Sequence, residues 1–185
     1  MITGKRVILR TINPDELDYV YELIHDMSAK GPYWHLSIQP LNKFREEYRQ
    51  TGFWSQDEGR MLILSHDGDY LGEILYFKGL DYQAGFEVGY ELFKQEYGGK
   101  GYMTEALQLF CGFMFATRPI NRIQINVMSG NTASRKVVEK CGFFHEGTMR
   151  KATFHNGDYQ DLELYSLLRE EFEVKSVNSP EISLF

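Results

Sequence analysis

The chain has 185 residues, 43% of them hydrophobic and 25% charged, and a net charge of −6 at pH 7. The composition is that of a soluble globular protein, the length favours one domain over two, and the acidity argues against a general nucleic-acid binder and mildly favours a cationic substrate. No apolar run reaches a membrane span, and the opening "MITGKRVILRTINP" lacks the long apolar stretch of a secretion signal, so a cytoplasmic protein without membrane contact is expected.

"RVILR" (Arg6 to Arg10) alternates apolar and polar residues and predicts a strand. Asn13-Pro14-Asp15 starts a helix whose apolar face is Leu17, Val20, Tyr21 and Ile24. "AKGPYWHLSIQP" is a loop, and a second helical pattern runs from about Asn42 to Gln50. "MLILS" and "YLGEILYF" flank His66-Asp67-Gly68-Asp69 as a β-hairpin. "GFEVGYELF" is a third mid-chain strand, whose internal Gly89 predicts a bulge or a close backbone approach. A glycine-rich loop follows, then a helix with Met103, Ala106, Leu107, Phe110 and Met114 on one face. "RIQINVM" turns Ile123, Ile125 and Val127 inward, and Asn131 caps a helix over about Thr132 to Lys140 that Gly142 stops. "MRKATF" and "YQDLELYSLL" flank the hairpin turn Asn156-Gly157. Cys111 and Cys141 form no C-x-x-C pair and are expected to be buried free thiols. The order gives an α/β (α+β) protein, a mixed sheet with helices packed on it, and no internal repeat.

The stretch "QEYGGKGYMTEAL" carries the chemistry. It is no Walker A loop, because Gly101 follows Lys100 where a hydroxyl residue should hold magnesium, and it is no G-x-G-x-x-G fingerprint, because the last position from Gly99 is Thr104. A strand, a short glycine loop and a helix N-terminus make a diphosphate site without a metal. If the strands on either side of that helix splay apart, an extended amide-bearing arm can lie between them. Coenzyme A has both a pyrophosphate and such an arm. A tight strand-to-helix turn would use the same glycines, and the loop alone does not separate the two readings.

"GKRVILRTINPDELDYVYEL", "FEVGYELFKQEYGGKGYMTEAL" and "INRIQINVMSGNTASRKVVEKCGFFHEGTMRKATFHNGDYQDLELYSLL", in this order, resemble the GCN5-related N-acetyltransferase (GNAT) superfamily, and its ribosomal-protein-alanine N-acetyltransferase branch in particular. The resemblance covers roughly residues 3–172. It implies one N-acetyltransferase domain over 1–175 with a C-terminal extension over 176–185. It also implies a central sheet of about six to seven strands with a splayed parallel pair, and about four flanking helices. The family loop [QR]-x-x-G-x-[GA] aligns with Gly98 to Met103 and departs at its first and last positions. The glutamate and tyrosine used by some N-terminal acetyltransferases fall on Asn126 and Val138, so that acid–base pair does not carry over.

The resemblance implies acetyl-CoA as co-substrate and no metal, with direct attack of an amine on the thioester in a ternary complex. It places Asn131 and Ser134 near the thiol, with Ser134 as proton donor to the leaving thiolate. Peptide nitrogens of Gly99, Lys100, Gly101, Tyr102, Met103 and Thr104 would hold the diphosphate, with Lys100, Arg135 and Lys136 as charged partners. A backbone N–H among Glu91, Leu92 and Phe93 would stabilise the oxyanion. Glu87 is the candidate base, on the face it shares with Gly89 and Glu91. Tyr33, Trp34 and His35 would line the acceptor cleft, and His155 could reach it. At pH 7 an α-amine with pKa about 7.7–8.0 is roughly a tenth neutral, while a lysine amine near about 10.4 is almost wholly charged. With no strong base evident, a protein N-terminus or a low-pKa small amine is the expected acceptor, in a monomer or homodimer. A non-catalytic acyl-CoA-binding module and a transferase of another acyl group are the alternatives.

Overall fold

Strands with a period of two present two faces to cover, and here helices cover both. The structure is a computed structural model that describes residues 1–34, 37–79 and 84–172. Of the sequence expectations, His35 and the extension over 176–185 lie outside the described residues. The strands are β1 (Ile2–Thr3), β2 (Val7–Arg10), β3 (Glu58–Ser65), β4 (Tyr70–Lys78), β5 (Gly85–Leu92), β6 (Arg122–Met128), β7 (Phe144–His155) and β8 (Asp158–Leu168). The helices are α1 (Leu17–His25), α2 (Leu41–Thr51), α3 (Tyr102–Thr117) and α4 (Thr132–Cys141), with 3-10 turns at Pro14–Glu16 and Gln95–Tyr97. Among the described residues no helix is long and apolar enough to cross a membrane.

The sheet order is β1-β2-β3-β4-β5-β6-β8-β7. Its eight strands exceed the expected six to seven, and two-residue β1 is too short to leave a periodic signal. Neighbouring strands are antiparallel except β5 and β6. A parallel pair needs a crossover, supplied here by the glycine loop and α3. Burial explains the helix patterns. Met103, Ala106, Leu107, Phe110 and Met114 are buried, with Val7, Leu9, Ile63, Ile123, Ile125 and Val127 of the sheet beneath. Val138 and Cys141 of α4 join the same core. On the opposite face Leu17 and Val20 of α1 and Phe44 of α2 close over Leu62 and Leu64. Each fully buried Val, Leu, Ile, Phe or Met among them contributes about 1.5–3 kcal/mol.

Local chemistry sets the ends of these elements. The Glu16 carboxylate accepts from the Asn13 N–H at 2.7 Å and from Nη1 and Nη2 of Arg10, and the Tyr70 hydroxyl donates to it as well. Asn131 Oδ1 accepts the Ser134 N–H at 3.0 Å, and Gly142 ends α4 at φ +86°. Asn156 and Gly157, at φ +49° and +84°, turn β7 into β8. Arg169 closes the end of α3, donating to the carbonyls of Phe115, Arg118 and Ile120. Cys111 and Cys141 are buried and unbridged.

Gly89 makes no bulge. The β4–β5 register runs from Gly72↔Leu92 to Lys78↔Phe86 without a shift, and the Leu75 side chain lies over Gly89, 3.4 Å from where a Cβ would be. The register shift nearby is on the other edge of β4, in the β3–β4 ladder between Ile63 and Leu64. Pairing between β5 and β6 nevertheless stops at Glu87↔Gln124, although β5 continues to Leu92 and β6 to Met128. The two strands open into a gap toward their C-terminal ends.

Candidate active site

The glycine loop enters α3 through two left-handed residues, Gly99 at φ +73° and Gly101 at φ +83°, a conformation that costs other residues about 1–2 kcal/mol. Among the described residues, no N–H from Gly99 to Thr104 donates to another group of the chain. Such a run of peptide nitrogens in a left-handed turn, backed by the positive end of a 16-residue helix, forms an anion-binding concavity. The Met103 side chain lies in the core, so that residue offers the loop only its N–H. Arg6 braces the loop from below. Its Nη1 donates to the Lys100 carbonyl at 2.8 Å, and a Cβ on Gly101 would sit 2.9 Å from that nitrogen. Arg6 N–H donates to Glu105 Oε1 at 3.0 Å. Nothing in the sequence marks Arg6, which lies 94 residues from Lys100. Arg135 pairs loosely with Glu139 on exposed α4 at 3.8 Å, and Lys136 is exposed next to it.

Alternation decides which backbone groups line the gap. The Ala84 carbonyl accepts from Asn121 N–H, toward β6, while the Phe93 N–H donates to Leu71 O at 2.9 Å, toward β4. Successive residues of a strand point their peptide groups to opposite neighbours. Tyr90 and Leu92 therefore face the gap, and Glu91 and Phe93 face β4. Ser129 N–H bonds Asp161 O on the β8 side, which by the same alternation turns Asn126 and Met128 to the gap. Of the expected oxyanion donors, Leu92 is thus placed at the opening and Phe93 is already engaged. Tyr90, Asn126 and Met128 join the set only once the strand partners are known.

On the α3–α4 side of the gap the Tyr90 hydroxyl lies 2.8 Å from Ser134 Oγ. Burial pushes the Tyr90 hydroxyl well above its usual pKa, against the lowering influence of Ser134, so it stays protonated. Two chain-distant hydroxyls are therefore linked across the start of α4. Beside them a polar hollow of about 360 Å³ opens between α4 and β8, lined in part by Asn131, Thr132, Arg135, His145 and Tyr165.

The other side of the gap holds buried charge. Lys30 Nζ is 2.6 Å from Glu91 Oε1, with side chains only 5% and 14% exposed. Glu73, opposite Glu91 in the ladder, is 4% exposed and lies 3.1 Å from Arg60 Nη1 at an angle too poor for a hydrogen bond. Asn126 Oδ1 is also buried, without a hydrogen-bond partner among the described residues. Burial, and then the Glu73 charge, push the Glu91 carboxyl up to about 7 against the opposing pull of Lys30 and Arg60. Glu87 lies at the last paired position and accepts from Gln124 Nε2 at 3.3 Å.

The loop after α1 crosses this opening. Lys30 reaches β5, and the Tyr33 hydroxyl lies 3.0 Å from where a Cβ on Gly130 would be, at the β6–α4 turn. The Pro32 carbonyl accepts from His155 Nε2 at 2.7 Å and from Asn156 Nδ2 at 3.4 Å. Trp34 lies under Lys30, its ring centroid 4.9 Å from Nζ. Of the residues expected at an acceptor cleft, Tyr33 thus reaches the β6–α4 turn and Trp34 packs on Lys30, and His155 is tied to the same loop.

A free-amide loop joined to a gap between parallel strands fits a diphosphate that carries an amide-bearing arm. Residues 6–144 match the family described as Acetyltransferase (GNAT) domain, and the chain belongs to that family. It is an acetyltransferase, and enzymes of this family draw the acetyl group from acetyl-CoA. The chain is 30% identical over 177 residues to the Bacillus subtilis protein named "Putative ribosomal N-acetyltransferase YdaF", covering 92% of this chain and 95% of that one. It is 26% identical over 165 residues to spermidine N(1)-acetyltransferase of Escherichia coli K12, covering 87% and 85%. In fold it is similar to the Vibrio cholerae spermidine N-acetyltransferase solved with CoA and spermine, with TM-score 0.79, 19% identity and coverage of 92% and 99%.

Proposed function

We propose that this chain moves an acetyl group from acetyl-CoA directly onto a primary amine, with both substrates bound together. The observation that carries the reading is the union of unengaged peptide nitrogens over 99–104 with the opening between β5 and β6. The residues present fit the donor. Gly99 to Thr104 would hold its diphosphate, and the peptide groups of Tyr90, Leu92, Asn126 and Met128 would meet its amides. Acetyl-CoA supplies an activated acyl carbon. The chain's own part is to orient it, stabilise the oxyanion and move two protons.

We assign the oxyanion to the Leu92 N–H, the one donor of the expected three that faces the opening. Ser134, linked to the protonated Tyr90 hydroxyl, returns a proton to sulfur. We assign the base to Glu91 in preference to Glu87. Glu91 is buried beside the opening with a carboxyl at about 7, close to the working pH that makes proton transfer efficient, whereas Glu87 sits where the strands are still paired. A base of that strength widens the acceptor class beyond α-amines to cationic amines such as polyamines. The polyamine and ribosomal-protein names among the relatives are compatible with either class.

Thiol release from acetyl-CoA against a panel of protein N-termini, polyamines and amino sugars tests the proposal. Amine-dependent release with an acetylated product supports it. Tight acetyl-CoA binding with no release for any amine defeats it in favour of a binding module.

A further inference from the structure

The loop over the opening puts one amine of the chain itself at the base. Lys30 is nearly buried, its Nζ is bonded to Glu91, and the segment that carries it touches both margins of the gap, β5 through Lys30 and the β6–α4 turn through Tyr33. Trp34 beneath and the Pro32 bonds to the β7–β8 tip fix the segment from two further sides. A lysine held at 2.6 Å from the proposed general base, inside the site where an acceptor amine must come, is arranged as an acceptor is.

We propose that Lys30 is an acceptor in its own right: in the absence of an outside amine, the chain acetylates Lys30 from acetyl-CoA. The inference rests on the amine-transfer reading above. Glu91 takes one proton from the Lys30 ammonium and later passes it to solvent. The neutral Nζ attacks the thioester carbon, the new N–C bond forms and the C–S bond breaks. The second Nζ proton balances the one delivered to the leaving thiolate by Ser134. The products are acetyl-Lys30, coenzyme A thiol and one released proton. The amide formed has no charge to pair with Glu91, so the loop loses its ion pair to β5 while the Pro32 and Tyr33 contacts remain. Modification would thereby loosen the cover of the site on one side only.

The experiment is peptide-resolved mass spectrometry of the full chain in two reagents. With acetyl-CoA and no amine, Lys30 is expected to gain one acetyl group at least tenfold faster than any other lysine, and Glu91→Gln is expected to slow it at least tenfold. A large excess of spermidine is expected to suppress it. With a water-soluble acetylating ester, which attacks exposed lysines without the enzyme, Lys30 is expected to be among the slowest, because it is buried. The reversal of order between reagents is the signature. Acetylation by acetyl-CoA spread over surface lysines, or Lys30 unmodified while an added amine is acetylated, overturns the proposal and leaves the transferase reading intact. Absence of any transfer, to Lys30 or to amines, overturns both.

Discussion

The proposed donor and acceptor ends of the gap are built on different principles. The donor end is backbone: N–H groups of consecutive residues from Gly99 to Thr104, shaped by two left-handed glycines and aimed by one helix. The acceptor end is side chain: Lys30, Arg60, Glu73 and Glu91 come from three strands and a loop, and their charges nearly cancel in a buried cluster. A backbone cradle recognises what all donors of one kind share, and it tolerates side-chain change. A buried charge cluster is sensitive to every member, since removing one leaves another charge unpaired. Donor specificity is therefore expected to be robust, and turnover and acceptor choice to be fragile.

The largest test of that contrast is Glu91→Gln. Loss of a general base costs about 10²–10⁴-fold, so kcat is expected to fall in that range while the affinity for acetyl-CoA, measured calorimetrically, hardly moves. The pH profile sharpens it. Glu91 works as a base only when ionised, so wild-type activity is expected to fall as pH drops through about 7, with Glu73, Lys30 and Arg60 as the charges facing it. The Gln variant loses that limb. Equal acid limbs in the two proteins would remove Glu91 from the base role.

Next in size is Gly101→Val. Forcing a β-branched residue to φ +83° against Arg6 costs about 1–3 kcal/mol, and acetyl-CoA affinity is expected to fall about tenfold to a hundredfold. Lys100→Ala, which removes an exposed charge but no peptide nitrogen, costs at most about 1 kcal/mol. If the lysine change hurts binding more than the glycine change, the donor end is not a backbone site. Tyr90→Phe removes one hydrogen bond to Ser134, about 1 kcal/mol, and is expected to lower kcat about fivefold with KM unchanged. A rise in KM alone would make the pair structural.

Glu16→Gln, remote from both ends, is expected to leave turnover at pH 7 unaltered and to lower stability. Burial alone would raise the Glu16 carboxyl, but Arg10, the Asn13 N–H and Tyr70 hold it at about 2, below its ordinary 4.5. A depressed folded-state value stabilises above pH 4.5 and loses that contribution as pH falls toward 2. Thermal unfolding from pH 7 to 2 should therefore show a steeper acid loss in the wild type than in the variant.

The same contrast explains what could be read from the sequence. Gly99, Gly101, Asn131 and the strand periods are local signals, so the glycine turn into α3, the cap of α4 and the order of elements were legible. Alternation placed Glu87, Gly89 and Glu91 on one face but could not tell where the β5–β6 ladder ends, and that end point separates Glu87 from Glu91. Gly89 was a misleading cue, because its space is taken by Leu75 and not by a bulge. Arg6 under the loop and Lys30 on Glu91, 94 and 61 residues from their partners, are tertiary facts with no local signature.

Backbone amide resonances followed while coenzyme A is titrated in give the most direct test of the donor site. Saturable shifts largest at Gly99 through Thr104, with smaller ones at Tyr90, Leu92 and Asn126, are the predicted result. Saturable binding that leaves those amides unmoved, with the shifts gathered elsewhere, would contradict it.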